Sequence, residues 1–174
     1  MNRKKIYKGY CFDLFEDEVV WVNGKILDRA FIQHPGIAVM LPVLDSDRLI
    51  LVNQYRYGAQ SNLWEIPAGT INVGEKPLQC AQRELEEEIG YKALKWKPIA
   101  SFYSSPHYSS EMLHSFVAED LVKTEDNLDD DEVIEVRIFT QSQVKEMIRL
   151  GQIIDAKSLI VLLSFFDGTT VDVG

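Results

Sequence analysis

The sequence predicts a layered α/β (α+β) protein in which a mixed β-sheet is flanked by helices and a small antiparallel sheet precedes them. Three observations carry that expectation. Apolar runs of strand length, bounded by Gly, Pro, Asn and Asp, recur from Ile6 to Phe139. Three stretches, 77–89, 141–150 and 155–166, instead space their apolar residues three and four apart, the period of a helix with one buried stripe. At 46% hydrophobic, the 174 residues can bury a core of single-domain size.

Residues 1–33 read as β-structure. Ile6, Tyr7, Tyr10, Phe12, Leu14 and Phe15 alternate loosely. Val19–Val22, the Asn23–Gly24 turn and Lys25–Leu27 read as a hairpin. A sheet this small is marginal in water, so it needs the main domain or a second chain as a partner. His34–Pro35–Gly36 punctuates the chain and sets the expected boundary between an N-terminal subdomain, 1–33, and the main domain, 34–174. Ile37–Leu44 is a buried type of strand, Asp45–Asp47 a turn, and Arg48–Asn53 the returning strand. Leu63–Ala68 leads into a turn over Gly69–Gly74 and then a helix. Pro77 suits the first helical turn, where its missing N–H has no partner to lose. Gly90 suits the left-handed position just past the end. Leu78, Ala81, Leu85 and Ile89 form the apolar stripe between them. Trp96–Ser101, Met112–Ala118 and Val133–Phe139 read as strands, with an acidic loop over 125–132. Gln141–Leu150 is an amphipathic helix with Val144, Met147 and Ile148 inward, ended by Gly151. Asp155–Phe166 is a final apolar helix with Leu159, Leu162 and Leu163 as core candidates.

The helix over 77–89 has a second face. Glu84, Glu87 and Glu88 project together within roughly 100° at ~3.6 residues per turn. Like charges one turn apart cost roughly 0.2–0.5 kcal/mol per pair, so folding gains nothing from them. A solvated acidic face is the plain reading. A hard divalent cation, Mg²⁺ or Mn²⁺, reverses the sign, because it prefers oxygen ligands and leaves positions for water or phosphate oxygens. The formal net charge of −9 argues against a nucleic-acid groove and leaves an anionic substrate in need of such a go-between. Two isolated thiols, Cys11 and Cys80, point to a reducing compartment. The basic N-terminus lacks the apolar stretch of a signal peptide, and no run approaches the ~18 apolar residues of a membrane span. A cytoplasmic protein without membrane contact is expected.

The whole stretch from Gly69 to Tyr91 resembles the Nudix box: Gly69, five residues, Glu75, seven residues, then Arg83-Glu84-Leu85, Glu87-Glu88 and Gly90. Tyr91 stands where an aliphatic residue is usual. The chain is also similar to one branch, the ADP-ribose pyrophosphatases and related nucleoside-diphosphate-sugar hydrolases. Pro106, sixteen residues after Gly90, carries that likeness. So do Arg29–Gly36, Gln54–Arg56, Trp64–Gly69 and Gly151–Leu163. The resemblance implies the Nudix fold, an α/β/α sandwich, and Mg²⁺-dependent cleavage of a pyrophosphate to a nucleoside monophosphate and a sugar phosphate. It implies Glu84 and Glu88 as metal ligands, with Glu87 assisting and the Ala68 carbonyl completing the set. Arg83 would brace the box by pairing with Glu75; the plain reading is a helix-surface bridge to Glu87. Arg56 would meet a phosphate or ribose, and Glu111 a metal or ribose. The general base would lie on the acidic loop, at Glu132 or else Asp131. Arg29, Tyr10 and Phe12 are candidates to face the nucleobase, whereas His107 and His114 read as ordinary loop and strand residues. In that branch the N-terminal sheet is exchanged across a two-fold homodimer. The alternatives are a dinucleoside polyphosphate or nucleoside triphosphate hydrolase and a non-catalytic ADP-ribose sensor.

Overall fold

In the computed structural model the described residues are 2–124 and 134–170. Their strands sort into three sheets. β1 (Asn2–Lys8), β2 (Asp13–Val20) and β3 (Ile26–Gln33) form an antiparallel sheet of their own. β4 (Ile37–Pro42) lies inside a mixed sheet ordered β7-β4-β9-β8, with β7 at Ala68–Thr70, β8 at Tyr91–Tyr103 and β9 at Met112–Lys123. Only the β4–β9 pair in it is parallel. β5 (Arg48–Arg56) lies between β10 (Ile134–Thr140) and β6 (Ser61–Glu65) in an antiparallel sheet. The helices are α1 (Pro77–Ile89), α2 (Gln141–Arg149) and α3 (Ala156–Asp167).

β4 and β5 are apolar at successive positions because both of their faces are covered. Side chains alternate across a strand, and the two faces feed two separate clusters. Val39 and Leu41 pack with Leu49, Leu51, Val144, Met147, Val161 and Leu162, which brings in α2 and α3. Ala38 and Met40 pack with Ile50, Val52, Cys80, Ala81, Leu85 and Ile89, which brings in α1. The result is the layered α/β/α arrangement, with α1 on one side of the strands and α2 and α3 on the other.

Several details differ from the sequence expectation. Gly69 and Thr70 belong to β7, pairing with Ala38 and Ile37, so the turn begins only after them. Leu78 is exposed, and Cys80 is buried on the inner face of α1. In α3 the inward stripe is Ser158, Val161 and Leu162, so Leu163 faces out. α1 does end as expected, with Gly90 at φ 70° and its N–H donating to the Glu86 carbonyl at 3.0 Å. The hairpin of residues 1–33 is present, its turn closed by Gly24 N–H donating to the Trp21 carbonyl at 2.8 Å. The N-terminal sheet is fastened to the rest through β3. Ile32 N–H donates to the Tyr108 carbonyl at 2.8 Å, and Ser110 N–H donates to the Ile32 carbonyl at 3.0 Å. Among the described residues no helix is long and apolar enough to cross a membrane.

Leu85 is fully buried between α1 and the strands. Leu85→Ala removes its contacts and leaves a cavity, so it is expected to cost about 2–5 kcal/mol in urea unfolding. A loss below about 1 kcal/mol would contradict this packing.

Candidate active site

Glu84, Glu87 and Glu88 reach one cavity because α1 lies across the end of β7. Cavity volume is about 610 Å³, and its wall includes Ala68, Gly69, Thr70, Arg83 and the three glutamates. Glu88 is buried, and its Oε2 accepts a hydrogen bond from Ala68 N–H at 3.2 Å. Glu84 lies directly on Gly69. A Cβ at that position would fall 1.9 Å from the Glu84 carboxyl carbon. Glycine here allows the Glu84 side chain to approach the strand closely; a larger residue would force that side chain to move.

Arg83 binds this corner together. Its Nε and Nη2 donate to Oε1 and Oε2 of Glu75 at 3.0 and 3.1 Å. Its Nη1 donates to both Glu84 and Glu87 at 2.7 Å, and Nη2 also reaches the Thr70 carbonyl at 3.3 Å. Both pairings expected of Arg83, the brace to Glu75 and the bridge to Glu87, thus exist at once. Hydrogen bonds from Arg83 hold the Glu75 carboxyl below its usual range and raise the Arg83 guanidinium. Beneath them, burial first, and then the charges of Glu84 and Glu75, push the Cys80 thiol up to about 12.

The donor set suits a hard cation. Three carboxylates and the Ala68 backbone offer oxygen only, on one wall. As placed, Glu84 and Glu87 both lean on Arg83 Nη1, and among the described residues no three His, Cys, Asp or Glu side chains are grouped closely enough to hold an ion. A bound cation would have to draw these carboxylates away from Arg83.

Arg56 stands on the wall shared by this cavity and a second one. Its Nε and Nη2 grip the two oxygens of Glu65 at 2.9 and 2.7 Å, which raises its pKa. Glu65 is 1% exposed. Lys157 Nζ also donates to Glu65 Oε2 and forms an ion pair with Asp155 at 2.9 Å. Asp155 caps α3 by accepting from Ser158 N–H at 2.9 Å, while Ser158 Oγ accepts from Ile66 N–H at 3.0 Å. Burial pushes the Asp155 carboxyl up, but Lys157 and Ser158 outweigh it and leave the group below its usual range. Sequence reasoning did not find Glu65, Lys157 or Asp155. A separation of 92 positions between Glu65 and Lys157 gives no spacing signal.

The other expected residues are scattered. Glu111 lines the second cavity and lies 3.7 Å from His34 Nε2. Pro106 is exposed and borders neither cavity, although Ser104 and Ser105 before it do. Arg29 is exposed on β3, its guanidinium over the Trp21 ring, away from both cavities of its own chain. Tyr10 reaches the first cavity, whereas Phe12 packs against Tyr7. His114 shares a 2.9 Å hydrogen bond with Ser101, and His107 lies beside Tyr108. Glu132 and Asp131 lie outside the described residues.

A frame of two helix layers around β4 and β5, with acidic groups gathered where α1 meets β7, defines a hydrolase of the Nudix type. The chain belongs to the NUDIX domain family, whose model matches residues 34–159. It is 38% identical over 158 residues to an ADP-ribose pyrophosphatase of Bacillus subtilis (strain 168), covering 90% of this chain and 85% of that one. It is 33% identical over 164 residues to a methanol dehydrogenase activator of Bacillus methanolicus, covering 93% and 89%. Among solved structures, an ADP compounds hydrolase superposes with a TM-score of 0.81 at 21% identity, over 97% of this chain and 91% of that one.

Two measurements check the corner around Arg83. Because Cys80 is buried and its thiol is pushed up to about 12, iodoacetamide at about pH 8 is expected to label the half-buried Cys11 and spare Cys80. Mass spectrometry reads the outcome, and equal labelling would contradict the placement. Glu75 has a folded pKa below its ordinary 4.5. Its contribution to stability is therefore present above that value and is lost as pH falls through the lower folded value. Melting temperatures between about pH 6 and pH 3 should fall less steeply in Glu75→Gln than in the wild type.

Proposed function

We propose that the protein hydrolyses the pyrophosphate bond of ADP-ribose or a related nucleoside-diphosphate sugar, using Mg²⁺ or Mn²⁺, to give a nucleoside monophosphate and a sugar phosphate. The observation that carries this is the oxygen-only wall of Glu84, Glu87, Glu88 and Ala68 in one cavity with the cationic Arg56. The name of the Bacillus subtilis relative supports the choice of substrate.

In this reading Glu84 and Glu88 hold the cation, Glu87 assists, and Ala68 adds its carbonyl. The bound cation neutralises phosphate charge and lowers the pKa of an attacking water. Arg83 keeps the helix on the strand so that the carboxylates stay gathered. Arg56 meets a phosphate oxygen with its planar fork. Glu111, with Ser104 and Ser105 just before Pro106, lines the sugar side. The proton of the water goes to Glu132, with Asp131 as the alternative base.

The same reading makes the chain a homodimer through residues 1–33, ahead of a catalytic domain at 34–174. Every residue of β1 is exposed, and Ile6, Tyr7, Val20 and Ile26 leave much of the N-terminal sheet's apolar surface uncovered. Arg29, remote from its own cavity, would then serve the nucleobase at the partner's. Two unbonded thiols support a reducing, cytoplasmic setting.

Glu84→Gln and Glu88→Gln are each expected to abolish AMP release from ADP-ribose in Mg²⁺, a loss on the order of 10³-fold or more, with melting temperature preserved. Near-normal turnover in both variants sinks the mechanism. Running ADP-ribose beside GDP-mannose and a diadenosine polyphosphate separates the sugar-nucleotide reading from its rivals.

A further inference from the structure

The buried ion network behind Arg56 has a consequence for anion binding. Glu65 holds Arg56 with both carboxylate oxygens. An arginine so paired is well oriented, but its charge is largely cancelled by the partner. Glu65 also accepts from Lys157, whose side chain is only 12% exposed and which pairs with Asp155 as well. Arg56 and Lys157 against Glu65 and Asp155 sum to zero. Without Lys157 the set carries one net negative charge; Lys157 and Asp155 border the second cavity, and Arg56 borders both that one and the cavity lined by Glu84, Glu87 and Glu88. The network is also tied to the backbone at two points. Asp155 caps α3, and Ser158 in the first turn of that helix is tied to Ile66, next to Glu65.

We propose that Lys157 is a positioning residue for phosphate recognition: it shares Glu65 with Arg56, so that Arg56 is both held in place and left with enough positive charge to bind a phosphate oxygen. Nε and Nη2 are spent on Glu65, and Nη1, bonded to none of the described residues, would meet the substrate. Lys157 acts through Arg56 and takes no part in bond breaking. The inference rests on the proposed function only in taking phosphate as the ligand of the cavity.

The test uses the full chain with inorganic pyrophosphate and magnesium chloride, followed by calorimetry. Lys157→Met is expected to weaken pyrophosphate binding about tenfold, the scale of one unit charge acting across several ångströms of partly buried protein. Lys157→Arg is expected to restore it. Asp155→Asn provides the opposite sign. Asn still caps a helix, and removal of a negative charge from the set is expected to tighten binding. A purely structural role would weaken binding in both and would not be rescued by sign of charge. Unchanged binding in Lys157→Met, weaker binding in Asp155→Asn, or no binding by the wild type overturns the proposal. In parallel, ADP-ribose turnover by Lys157→Met should show a raised KM with kcat within about twofold of wild type; a fall in kcat with KM unchanged overturns it. Failure of the wild type to release AMP would sink the proposed function alone, and the pyrophosphate measurement would still decide this inference.

Discussion

The site depends on one guanidinium. Three glutamates on one flank of α1 repel one another, and their helix is held to β7 through small contacts around Gly69. Arg83 answers both problems with a single planar group. It takes Glu84 and Glu87 on one nitrogen, grips Glu75 with the other two, and reaches the Thr70 carbonyl of the strand. A lysine, with a compact ammonium, lacks the geometry to serve carboxylates on three sides. One guanidinium offsets only part of the charge of Glu75, Glu84 and Glu87, so the cluster is held together but stays net negative. A cation that takes up Glu84 and Glu87 replaces one positive partner with another, so binding need not begin from a fully repelling set.

The frame makes that corner possible. β4 and β5 are covered on both faces, and their alternate side chains build two cores rather than one. One core seats α1 and so fixes where the glutamates emerge. The other seats α3 and so fixes where Lys157 and Asp155 emerge. The two helices lie on opposite sides of the strands, yet both present charge to the same end of them. β6 and β7 are the meeting point: Glu65 ends β6, Ala68 opens β7, and only Ile66 and Pro67 stand between.

Much of this was legible in the sequence, for identifiable reasons. α1 could be read to its ends because Pro77 and Gly90 mark positions with particular backbone needs. β4 could be read because a strand buried on both faces is an unbroken apolar run. The glutamates could be read because helical spacing puts residues three and four apart together. Gly69 misled, since a glycine beside threonine and asparagine reads as a turn; its real role is to let Glu84 lie on the backbone of a strand. The stripe of α1 was misjudged at Leu78, and that of α3 at Leu163, where burial depends on what the neighbouring layer covers. The Glu65 network was invisible. Its members come from three elements, and each residue taken alone is an ordinary charge at the end of a strand or a helix.

On the proposed function, an acidic chain that binds a pyrophosphate faces an electrostatic difficulty on two scales. Locally, Glu84, Glu87 and Glu88 need positive charge before any phosphate can approach, and a divalent cation fits their oxygens. That remedy acts only on the wall where α1 lies. On the same reading the remainder of the cavity still needs a cation fixed in the protein, and Arg56, which lines it, would be that cation. A lone arginine beside Glu88 and near Asp155, both of which act on it electrostatically, would settle onto whichever carboxylate lay nearest. Giving it a dedicated, fully buried carboxylate fixes its direction, and placing a second cation on that carboxylate prevents the pairing from silencing it. Orientation and charge pull against each other when one acid meets one base. The trio of Arg56, Glu65 and Lys157 satisfies both demands because the acid is shared.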